Sequence, residues 1–324
     1  MKVGDILMIN KYSVKELLVF AEGKNIVYQT YVLYNKGDAV NPQSIFLRPD
    51  AVNRIIGLPA FIEGKQGSIG IKWVASYPYN INKGIPRASS VIILNDTETG
   101  IPLCCINGSL INLFRTACSA FLVLENLFFQ KSINLGIVGT GALAESFLTC
   151  IKEFGTVPVQ NIAVFDKNAD RANKFVKTTG LRENAKVTNL ETVICSCDVV
   201  LFSTTASVPY IVDQKLFSHN PFVIHLSLRD LGEDIILSSN NIVDDLDHVN
   251  RENTSVNLAS KKVGNTNFIN GDICQLLTQS IMLDQNKPIV FSPFGLGVLD
   301  IAIAKYIFER ANEKNQGTII SNFF

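Results

Sequence analysis

The sequence has no excess of either charge and few residues of the kind that bind metal ions. Its 324 residues carry 29 basic and 29 acidic side chains, so no overall field attracts the protein to nucleic acid or to an anionic membrane. Three histidines and seven irregularly spaced cysteines show no metal-ligand spacing, and no metal site is expected. The odd cysteine count favours a reduced, cytoplasmic protein. A small neutral or zwitterionic ligand fits this composition better than a macromolecule.

Long uninterrupted apolar runs are also missing. The most apolar segment, residues 109–129, contains Arg115 and Glu125, which argues against a membrane span of about 20 clean apolar residues. The first ten residues hold an apolar run that is too short for a signal peptide, and Asp5 interrupts it. Neither export nor membrane insertion is predicted.

The middle of the chain alternates short apolar runs with helical patterns. The runs "NLGIV", "NIAVF", "DVVLFSTTAS" and "PFVIHLSLRD" are typical of buried parallel strands in βαβ units. The predicted class is therefore α/β, a Rossmann doubly wound parallel sheet inserted in an α+β domain. Because the length suggests two domains, we predict a first part at residues 1–118, a Rossmann domain at 119–297 and a C-terminal helix at 298–324 that returns to the first domain.

Local signals predict three features of the first domain. Ser13 is positioned to cap a helix that runs from Val14 to about Lys36. A hairpin is expected around "NDTETG". The strands "SIFLRPD" and "SSVIILND" carry few charges that would protect a sheet edge, which favours a two-fold homodimer.

A glycine-rich turn follows the first strand of the predicted parallel sheet. In "GIVGTGALAES" the pattern G-x-G-x-x-A falls on Gly139, Gly141 and Ala144. The first glycine permits the tight turn, and the second lets the backbone approach a pyrophosphate at the helix N-terminus. An ordinary strand–turn–helix is the alternative. The predicted nucleotide-binding residues of the turn are Gly139, Thr140, Gly141, Ala142 and Leu143.

Polar residues follow the next strands at the same predicted sheet edge. Asp166 would accept hydrogen bonds from the adenosine ribose and repel a 2′-phosphate, which favours NAD over NADP as cofactor. Alternatively Asp166 is a turn residue before Lys167 and Asn168. The hydroxyls that either line the nucleotide or only form a turn are Ser203, Thr204 and Thr205.

Four cationic residues lie within otherwise apolar sequence segments of the first domain. Unpaired charges are almost never buried, and no run of acids lies nearby in the sequence. Each cation alone could form a structural ion pair or extend to solvent. Together they predict a ligand with several carboxylates, because arginine grips a carboxylate with two hydrogen bonds and lysine supplies a point charge. They are Arg48, Lys72, Arg87 and Arg115.

Segments along nearly the whole chain resemble one enzyme family. The stretches "GLPAFIEGKQGSIGIKWVASYPYN", "LNDTETGIPLCCINGSLINLFRTACSA", "GIVGTGALAES" and "GLGVLDIAIAKYIFERA" look like the ornithine cyclodeaminase and mu-crystallin family. The resemblance implies a dimerisation and substrate domain made from both chain ends, enclosing an NAD-binding Rossmann domain, with the active site between them.

The resemblance also implies roles for individual residues. Arg48, Lys72 and Arg115 fall on positions that bind the substrate carboxylate, and Lys72 could also relay a proton. Asp230 falls near the catalytic aspartate of cyclodeaminases. The loop here reads "LRDLGED" where that family is glycine-rich, so Glu233 and Asp234 stay open as the operative acid.

Within the family, "GIPRASS", "HLSLRDLGED" and "NIVDDLDHV" most resemble dehydrogenases of N-((2S)-2-amino-2-carboxyethyl)-L-glutamate in 2,3-diaminopropionate biosynthesis for siderophores and antibiotics. The implied reaction uses NAD and water and releases L-2,3-diaminopropionate and 2-oxoglutarate, and a separate pyridoxal-phosphate-dependent synthase would supply the substrate. The alternatives are ornithine cyclodeamination, ketimine reduction or alanine dehydrogenation within the family, and a non-catalytic nucleotide-binding crystallin-like protein.

Overall fold

The computed structural model describes residues 2–64, 67–180 and 184–324. The chain divides into two compact units: unit 1 comprises Met1–Arg115 with Leu296–Phe324, and unit 2 comprises Thr116–Gly295. The sequence analysis placed the domain boundaries after residues 118 and 297, and these boundaries remain predictions.

The described residues form sixteen strands and eleven α-helices. The strands are β1 Ile6–Ile9, β2 Ala39–Val40, β3 Ile45–Leu47, β4 Arg54–Ile62, β5 Ser68–Ser76, β6 Ala88–Asn95, β7 Pro102–Asn107, β8 Ile133–Val138, β9 Val159–Phe165, β10 Ala185–Val187, β11 Val199–Phe202, β12 Phe222–His225, β13 Asn240–Val243, β14 Ile269–Asp272, β15 Ile289–Ser292 and β16 Thr318–Ile320. The helices are α1 Lys11–Leu17, α2 Phe20–Lys36, α3 Ser109–Phe128, α4 Ala142–Phe154, α5 Ala169–Thr178, α6 Leu190–Ser196, α7 Glu233–Leu237, α8 Leu246–Val249, α9 Ser255–Val263, α10 Ile273–Leu277 and α11 Gly297–Glu313.

Unit 1 contains a mixed, mainly antiparallel sheet in the order β16-β1-β7-β6-β5-β4-β2, and β3 also pairs with β4. The predicted hairpin at "NDTETG" is confirmed, since β6 and β7 pair antiparallel on either side of it. The C-terminal helix α11 packs on β4, β5 and α2 in this unit. It covers one face of the sheet, and residues on the other face, including Trp73 and Val91, are about two-fifths exposed.

Two predictions for unit 1 are wrong. Asn10, not Ser13, caps the first helix by accepting hydrogen bonds from the next turn, and the helix breaks after Leu17 because Leu18 and Val19 are extended. The hydroxyl of Tyr306 on α11 lies 3.4 Å from the Val19 nitrogen and from the Leu17 carbonyl oxygen, so it satisfies backbone groups that the break leaves open.

The edge argument for "SSVIILND" also fails, because β6 lies inside the sheet with β5 and β7 as neighbours. A strand paired on both sides presents no open edge. The apolar surface that unit 1 leaves uncovered is a sheet face rather than a strand edge.

Unit 2 contains the predicted parallel sheet, in the order β10-β9-β8-β11-β12-β15-β13-β14. All its pairings are parallel, and the chain reverses direction across the sheet between β8 and β11, which is the arrangement of a dinucleotide-binding fold. The predicted fold class is confirmed. The central strands are buried on both faces, as the β-branched runs indicated.

Helix α3 continues across the boundary between the units. Among the described residues it is the one helix that is long and apolar enough to cross a membrane, by length and composition. About three-fifths (61%) of its most apolar window is buried within the protein, which is typical of a core helix.

Candidate functional site

The glycine turn of unit 2 is closed by backbone contacts. Gly139 follows β8 with φ of +92°, and a Cβ atom at this position would lie 2.8 Å from the Ser203 carbonyl oxygen. Both the left-handed conformation and this close approach require glycine. The Ser203 hydroxyl donates to the Gly139 carbonyl oxygen at 2.9 Å, so the turn after β8 is tied to the turn after β11.

Gly141 lies at the open side of the same turn. It is the N-cap residue of α4, and no side chain caps the helix there. A Cβ atom built on Gly141 meets nothing within 4 Å. The first-turn amides, including those of Ala142 and Leu143, therefore begin next to open space that a side chain at Gly141 would fill. This cradle fits the pyrophosphate of a dinucleotide.

Asp166 follows β9 and binds the turn directly. Its Oδ2 accepts from the Thr140 nitrogen at 2.9 Å and from the Thr140 hydroxyl at 2.7 Å, and its Oδ1 accepts from the Asn168 nitrogen at 3.0 Å. Partial burial opposes ionisation, but these hydrogen bonds outweigh it and lower the pKa of Asp166. A carboxylate accepts about four hydrogen bonds, so Oδ1 keeps capacity for a ribose hydroxyl.

Asp230 lies fully buried near the carboxyl ends of β11, β12 and β15. The Thr204 hydroxyl donates to its Oδ1 at 2.5 Å, and the Ser227 hydroxyl donates to its Oδ2. His225 Nε2 lies 3.2 Å from Oδ2 and 3.1 Å from the Asp230 nitrogen, while its Nδ1 lies 3.3 Å from the Ser292 hydroxyl. The carboxylate is thus held by groups from the ends of β11 and β12, and Ser292 of β15 contacts it only through His225.

The charge of Asp230 is stabilised by this network. Burial alone raises the pKa of Asp230, but the hydrogen bonds from His225, Ser227 and Thr204 outweigh it and lower the pKa. The Tyr210 nitrogen donates to the Asp230 carbonyl oxygen at 3.0 Å, and burial and the nearby Asp230 carboxylate raise the pKa of the Tyr210 hydroxyl. Tyr210 is 43% exposed, so it extends this network towards solvent.

Sequence reasoning missed four members of the network. A signal was available, because each follows or ends a strand of the parallel sheet and so belongs to the edge at which Asp230 was expected. The missed residues are Tyr210, His225, Ser227 and Ser292.

The other predicted residues of this edge lie outside those contacts. Thr205 is exposed, Glu233 is partly buried in the first turn of α7, and Asp234 is exposed. Asp234 Oδ1 forms a surface ion pair with Lys262 Nζ at 2.6 Å. The role of operative acid stays a prediction for Asp230.

Lys72 of unit 1 is buried in the middle of the sheet. Its neighbours across β4 and β6 are Leu58 and Ile92, so the strands beside it supply only apolar side chains. Lys72 Nζ lies 2.5 Å from Asp300 Oδ2 and 3.0 Å from Asn112 Oδ1. Lys72 lies in a strand, but the side chains that bind it come from α3 and α11.

Arg115 joins the same cluster. Its Nη2 donates to Asn112 Oδ1 at 2.7 Å, and its Nε lies 3.4 Å from Asp300 Oδ2. Burial lowers the pKa of Lys72 to about 8; the charge of Asp300 opposes this shift, and the charge of Arg115 adds to it. We call Lys72, Asn112, Arg115 and Asp300 the buried cluster.

Lys72 and Arg115 have an acidic partner that the nearby sequence lacks. Asp300 lies 228 residues beyond Lys72 in the sequence, within the helical stretch "GVLDIAIAK". No local pattern links the two segments, so only the packing of α11 on β5 brings the acid to the lysine.

Arg48 and Arg87 are exposed and lie at one end of the sheet with a third arginine. The register pairs Leu47 with Ile55 and pairs Ser76 with Arg54 and Ala88, so Arg48, Arg54 and Arg87 are at adjacent strand ends. Arg87 Nη1 donates to the Ser76 hydroxyl at 3.3 Å, and the Arg48 guanidinium lies 4.7 Å from the Phe46 ring centroid. We call these three arginines the arginine edge; Arg54 was not predicted.

The comparisons with known proteins agree on one family. Residues 5–315 match the ornithine cyclodeaminase/mu-crystallin family. The chain is 28% identical over 299 residues to N-((2S)-2-amino-2-carboxyethyl)-L-glutamate dehydrogenase of Staphylococcus aureus, covering 88% of each chain. It is 25% identical over 328 residues to alanine dehydrogenase of Archaeoglobus fulgidus, covering 98% of this chain and 99% of the relative.

Solved structures share the fold over almost the full length. Δ1-Pyrroline-2-carboxylate reductase of Thermococcus litoralis, solved with NADH and L-proline, has a TM-score of 0.89 at 23% identity and covers 97% of this chain and 99% of its own. An archaeal alanine dehydrogenase dimer with bound NAD has a TM-score of 0.88 at 24% identity, with 99% and 100% coverage.

Proposed function

Since this chain belongs to the ornithine cyclodeaminase/mu-crystallin family, we propose that it oxidises N-((2S)-2-amino-2-carboxyethyl)-L-glutamate with NAD. Water then splits the product into L-2,3-diaminopropionate and 2-oxoglutarate. The observation that carries the proposal is the accumulation of cations in unit 1, where Lys72 of the buried cluster lies in the sheet whose strand ends carry the arginine edge. The relative from Staphylococcus aureus, whose name gives this substrate, supports it.

The chain is an oxidoreductase of amino-acid CH–NH bonds, and its cofactor is NAD. Its relatives include dehydrogenases and reductases of this type, and solved relatives hold NADH or NAD. The residues present fit the cofactor, because Gly141 leaves the cradle open and Asp166 keeps an acceptor for a ribose hydroxyl. When bound, NAD accepts a hydride from the substrate.

The proposed substrate carries three carboxylates, one secondary amine and one primary amine, so its carboxylates outnumber its amines. Lys72 and Arg115 bind one carboxylate, and the arginine edge binds those at the far end of the substrate. Ornithine instead carries an ammonium at its far end, which would meet arginines of the same charge. The charge of unit 1 therefore favours a multi-carboxylate substrate over ornithine.

Asp230 serves the water that splits the oxidised product. Because the carboxylate is buried and already accepts from Thr204 and Ser227, a proton from water reaches it through the Thr204 or Tyr210 hydroxyl. Lys72 holds the substrate carboxylate and can relay a proton at its amine. Asp230→Asn should therefore lower kcat strongly and change KM less.

The test is turnover by the purified protein with NAD. Absorbance of NADH and enzymatic assay of 2-oxoglutarate are followed with N-((2S)-2-amino-2-carboxyethyl)-L-glutamate, and parallel reactions contain L-ornithine or L-alanine. Release of 2-oxoglutarate together with NADH is expected. Formation of proline from ornithine without 2-oxoglutarate from the adduct would overturn the proposal, and binding of NAD without turnover of any substrate would favour a crystallin-like protein.

Alanine dehydrogenation is the second candidate, and the relative from Archaeoglobus fulgidus favours it. Alanine has one carboxylate, which the buried cluster alone can bind. Arg87→Ala should therefore leave turnover of alanine unchanged and weaken turnover of the three-carboxylate adduct. This variant separates the two candidates, since Arg87 lies outside the buried cluster.

We also propose a homodimer formed through the uncovered face of the unit 1 sheet. Register places two apolar rows on this face: Pro59, Ile71, Ile93, Cys105 and Met8, and beside them Gly57, Trp73 and Val91. A contiguous apolar face marks an interaction surface, and two-fold pairing of identical faces is the commonest solution. The archaeal relative is a dimer.

Trp73 is the one tryptophan of the chain, so its fluorescence reports on this face. Dilution should shift the emission to longer wavelength as the dimer dissociates, with a matching change in sedimentation. Ile71→Asp should give a monomer, and Val263→Asp, at an exposed valine of unit 2, should not. A monomer of the unaltered protein at micromolar concentration would contradict the proposal.

Two further proposals concern context. A pyridoxal-phosphate-dependent synthase that joins glutamate to an activated serine is proposed as the preceding enzyme, because the adduct must be assembled before it is oxidised. A cytoplasmic location is supported by the cysteines, all seven of which are free thiols.

A further inference from the structure

We infer that Asp300 is a positioning residue that sets the orientation and net charge of Lys72 and Arg115, so that the buried cluster binds a single carboxylate. The inference rests on the proposed function, because it identifies which part of the substrate this cluster takes. No role was assigned to Asp300 from the sequence.

The geometry places one carboxylate oxygen between two cations. Asp300 Oδ2 lies 2.5 Å from Lys72 Nζ and 3.4 Å from Arg115 Nε, and the Asp300 side chain has no exposed surface. Asn112 Oδ1 accepts from both cations on the other side. The lysine and the arginine therefore have fixed positions before any substrate arrives.

The other oxygen argues against a purely structural role. Asp300 Oδ1 is buried and has no hydrogen-bond partner among the described residues. A buried acceptor without a partner costs free energy, so this side chain is not optimised for stability. Its contacts with Lys72 and Arg115 are what it contributes.

The net charge of the buried cluster indicates how many carboxylates it can bind. Two cations and one acid leave one net positive charge, which one carboxylate neutralises. Without Asp300, two like charges would lie buried side by side, which is strongly unfavourable. The remaining carboxylates of the substrate then need the arginine edge.

Asp300 also keeps the Lys72 amine protonated. The charged groups that face Lys72 are Asp300 on α11 and Arg115 on α3, while β4 and β6 supply Leu58 and Ile92. Removing the acid leaves burial and Arg115, both of which favour the neutral amine. In Asp300→Asn the cluster would return to one net charge by releasing the Lys72 proton at lower pH.

The experiment compares Asp300→Asn with Glu309→Gln. Glu309 is an exposed acid on the same helix that pairs with Lys305 at 3.3 Å, so it controls for removal of an acid from α11. In Asp300→Asn the alkaline limb of kcat/KM should move down by about one pH unit or more, and kcat/KM at pH 8 should fall at least about tenfold. Glu309→Gln and the affinity of all forms for NAD should be unchanged.

A double-mutant cycle tests whether Asp300 acts through Lys72. In the Lys72→Met background, Asp300→Asn should lower kcat/KM at pH 8 by clearly less than the roughly tenfold expected from Asp300→Asn alone, because only its contact with Arg115 remains. Additive losses, or an unmoved alkaline limb, would overturn the inference. If Asp300→Asn fails to fold, the double variant, which removes both members of the ion pair, takes its place against Lys72→Met alone.

A measurement without substrate keeps this inference separate from the proposed function. NMR titration of the Lys72 side chain, labelled at its ε carbon, should give a pKa of about 8 in the unaltered protein and a lower value in Asp300→Asn. If the protein does not turn over the adduct but this shift occurs, the proposed substrate is wrong and the role of Asp300 stands. An unchanged Lys72 pKa refutes the role even in an active enzyme.

Discussion

The glycine turn of unit 2 and the buried cluster of unit 1, which are the sites proposed for cofactor and substrate, are built in opposite ways. The turn consists of consecutive residues, and its acidic partner Asp166 lies 26 residues beyond Thr140; it offers backbone amides next to space that lacks a side chain. The cluster joins segments up to 228 residues apart and offers buried charges that partly neutralise one another. The turn depends on the absence of a side chain at Gly141, and the cluster depends on opposite charges of side chains that lie far apart in the sequence.

The largest effect should come from breaking the cluster. Arg115→Ala removes a buried, hydrogen-bonded cation, a change that costs on the order of 2 to 5 kcal/mol in a closed site. We expect kcat/KM for the adduct to fall by roughly two to three orders of magnitude, measured by steady-state kinetics. Affinity for NAD should not change, because the turn lies in unit 2. Arg310→Ala is the control, since Arg310 pairs with Glu22 at a partly exposed position.

The turn can be broken without disturbing the fold. Gly141→Leu places a side chain in open space, so the free energy of unfolding should be nearly unchanged while NAD affinity, measured by calorimetry, falls by about a hundredfold. Gly139→Ala should behave differently. Its Cβ meets the Ser203 backbone and its φ is positive, so this variant should lose stability. Equal stability of the two variants would contradict the distinction.

Asp166 sharpens the comparison on the cofactor side. Asp166→Ser with Lys167→Arg removes a carboxylate that would repel a 2′-phosphate and adds a guanidinium that would bind it. The ratio of NAD to NADP affinity should fall at least about tenfold, as measured by fluorescence titration. Some loss of NAD affinity is expected as well, because Asp166 also holds Thr140. Asp170→Asn, in the first turn of α5, should leave the ratio unchanged.

The smallest effect is the pH dependence of the unaltered enzyme. Burial lowers the pKa of Lys72 to about 8, so this amine loses its proton as the pH rises through that value. The proposed substrate binding uses the charged form of Lys72, so kcat/KM should be halved near pH 8 and fall about tenfold per unit above it. In Lys72→Arg this limb should disappear from the pH profile. Affinity for NAD should stay level over the same range.

Local sequence patterns were sufficient to predict the parallel sheet and the glycine turn. They did not predict contacts between segments that lie far apart in the sequence. The runs around β8, β9, β11 and β12 encode buried parallel strands, because β-branched residues repeat between turn signals. The break after Leu17 was missed because the Tyr306 hydroxyl that contacts its open backbone groups comes from a distant helix. The strand order that places β6 inside the sheet and the pairing that places Arg54 beside Arg48 and Arg87 involve several strands, so neither can be predicted from one strand alone.

The candidate site divides in the same way. Gly139, Gly141 and Asp166 could be identified from spacing, since a phosphate turn and its acid belong to one βαβ unit. The cations could be identified because a charge in an apolar strand is anomalous, but Asp300 could not. It occupies an ordinary position in an amphipathic helix, and only tertiary packing makes it a partner of Lys72.

Because Lys72 and Asp300 are deeply buried, the buried cluster and the arginine edge should respond differently to ionic strength. Dissolved ions screen exposed charges over about 8 Å at physiological salt and reach buried pairs far less. If these cations bind the substrate as proposed, its attraction to the exposed Arg48 and Arg87 should weaken as salt rises, while its contacts with the buried cluster should change little. Added salt should therefore lower the association rate of the proposed substrate more than it raises its dissociation rate.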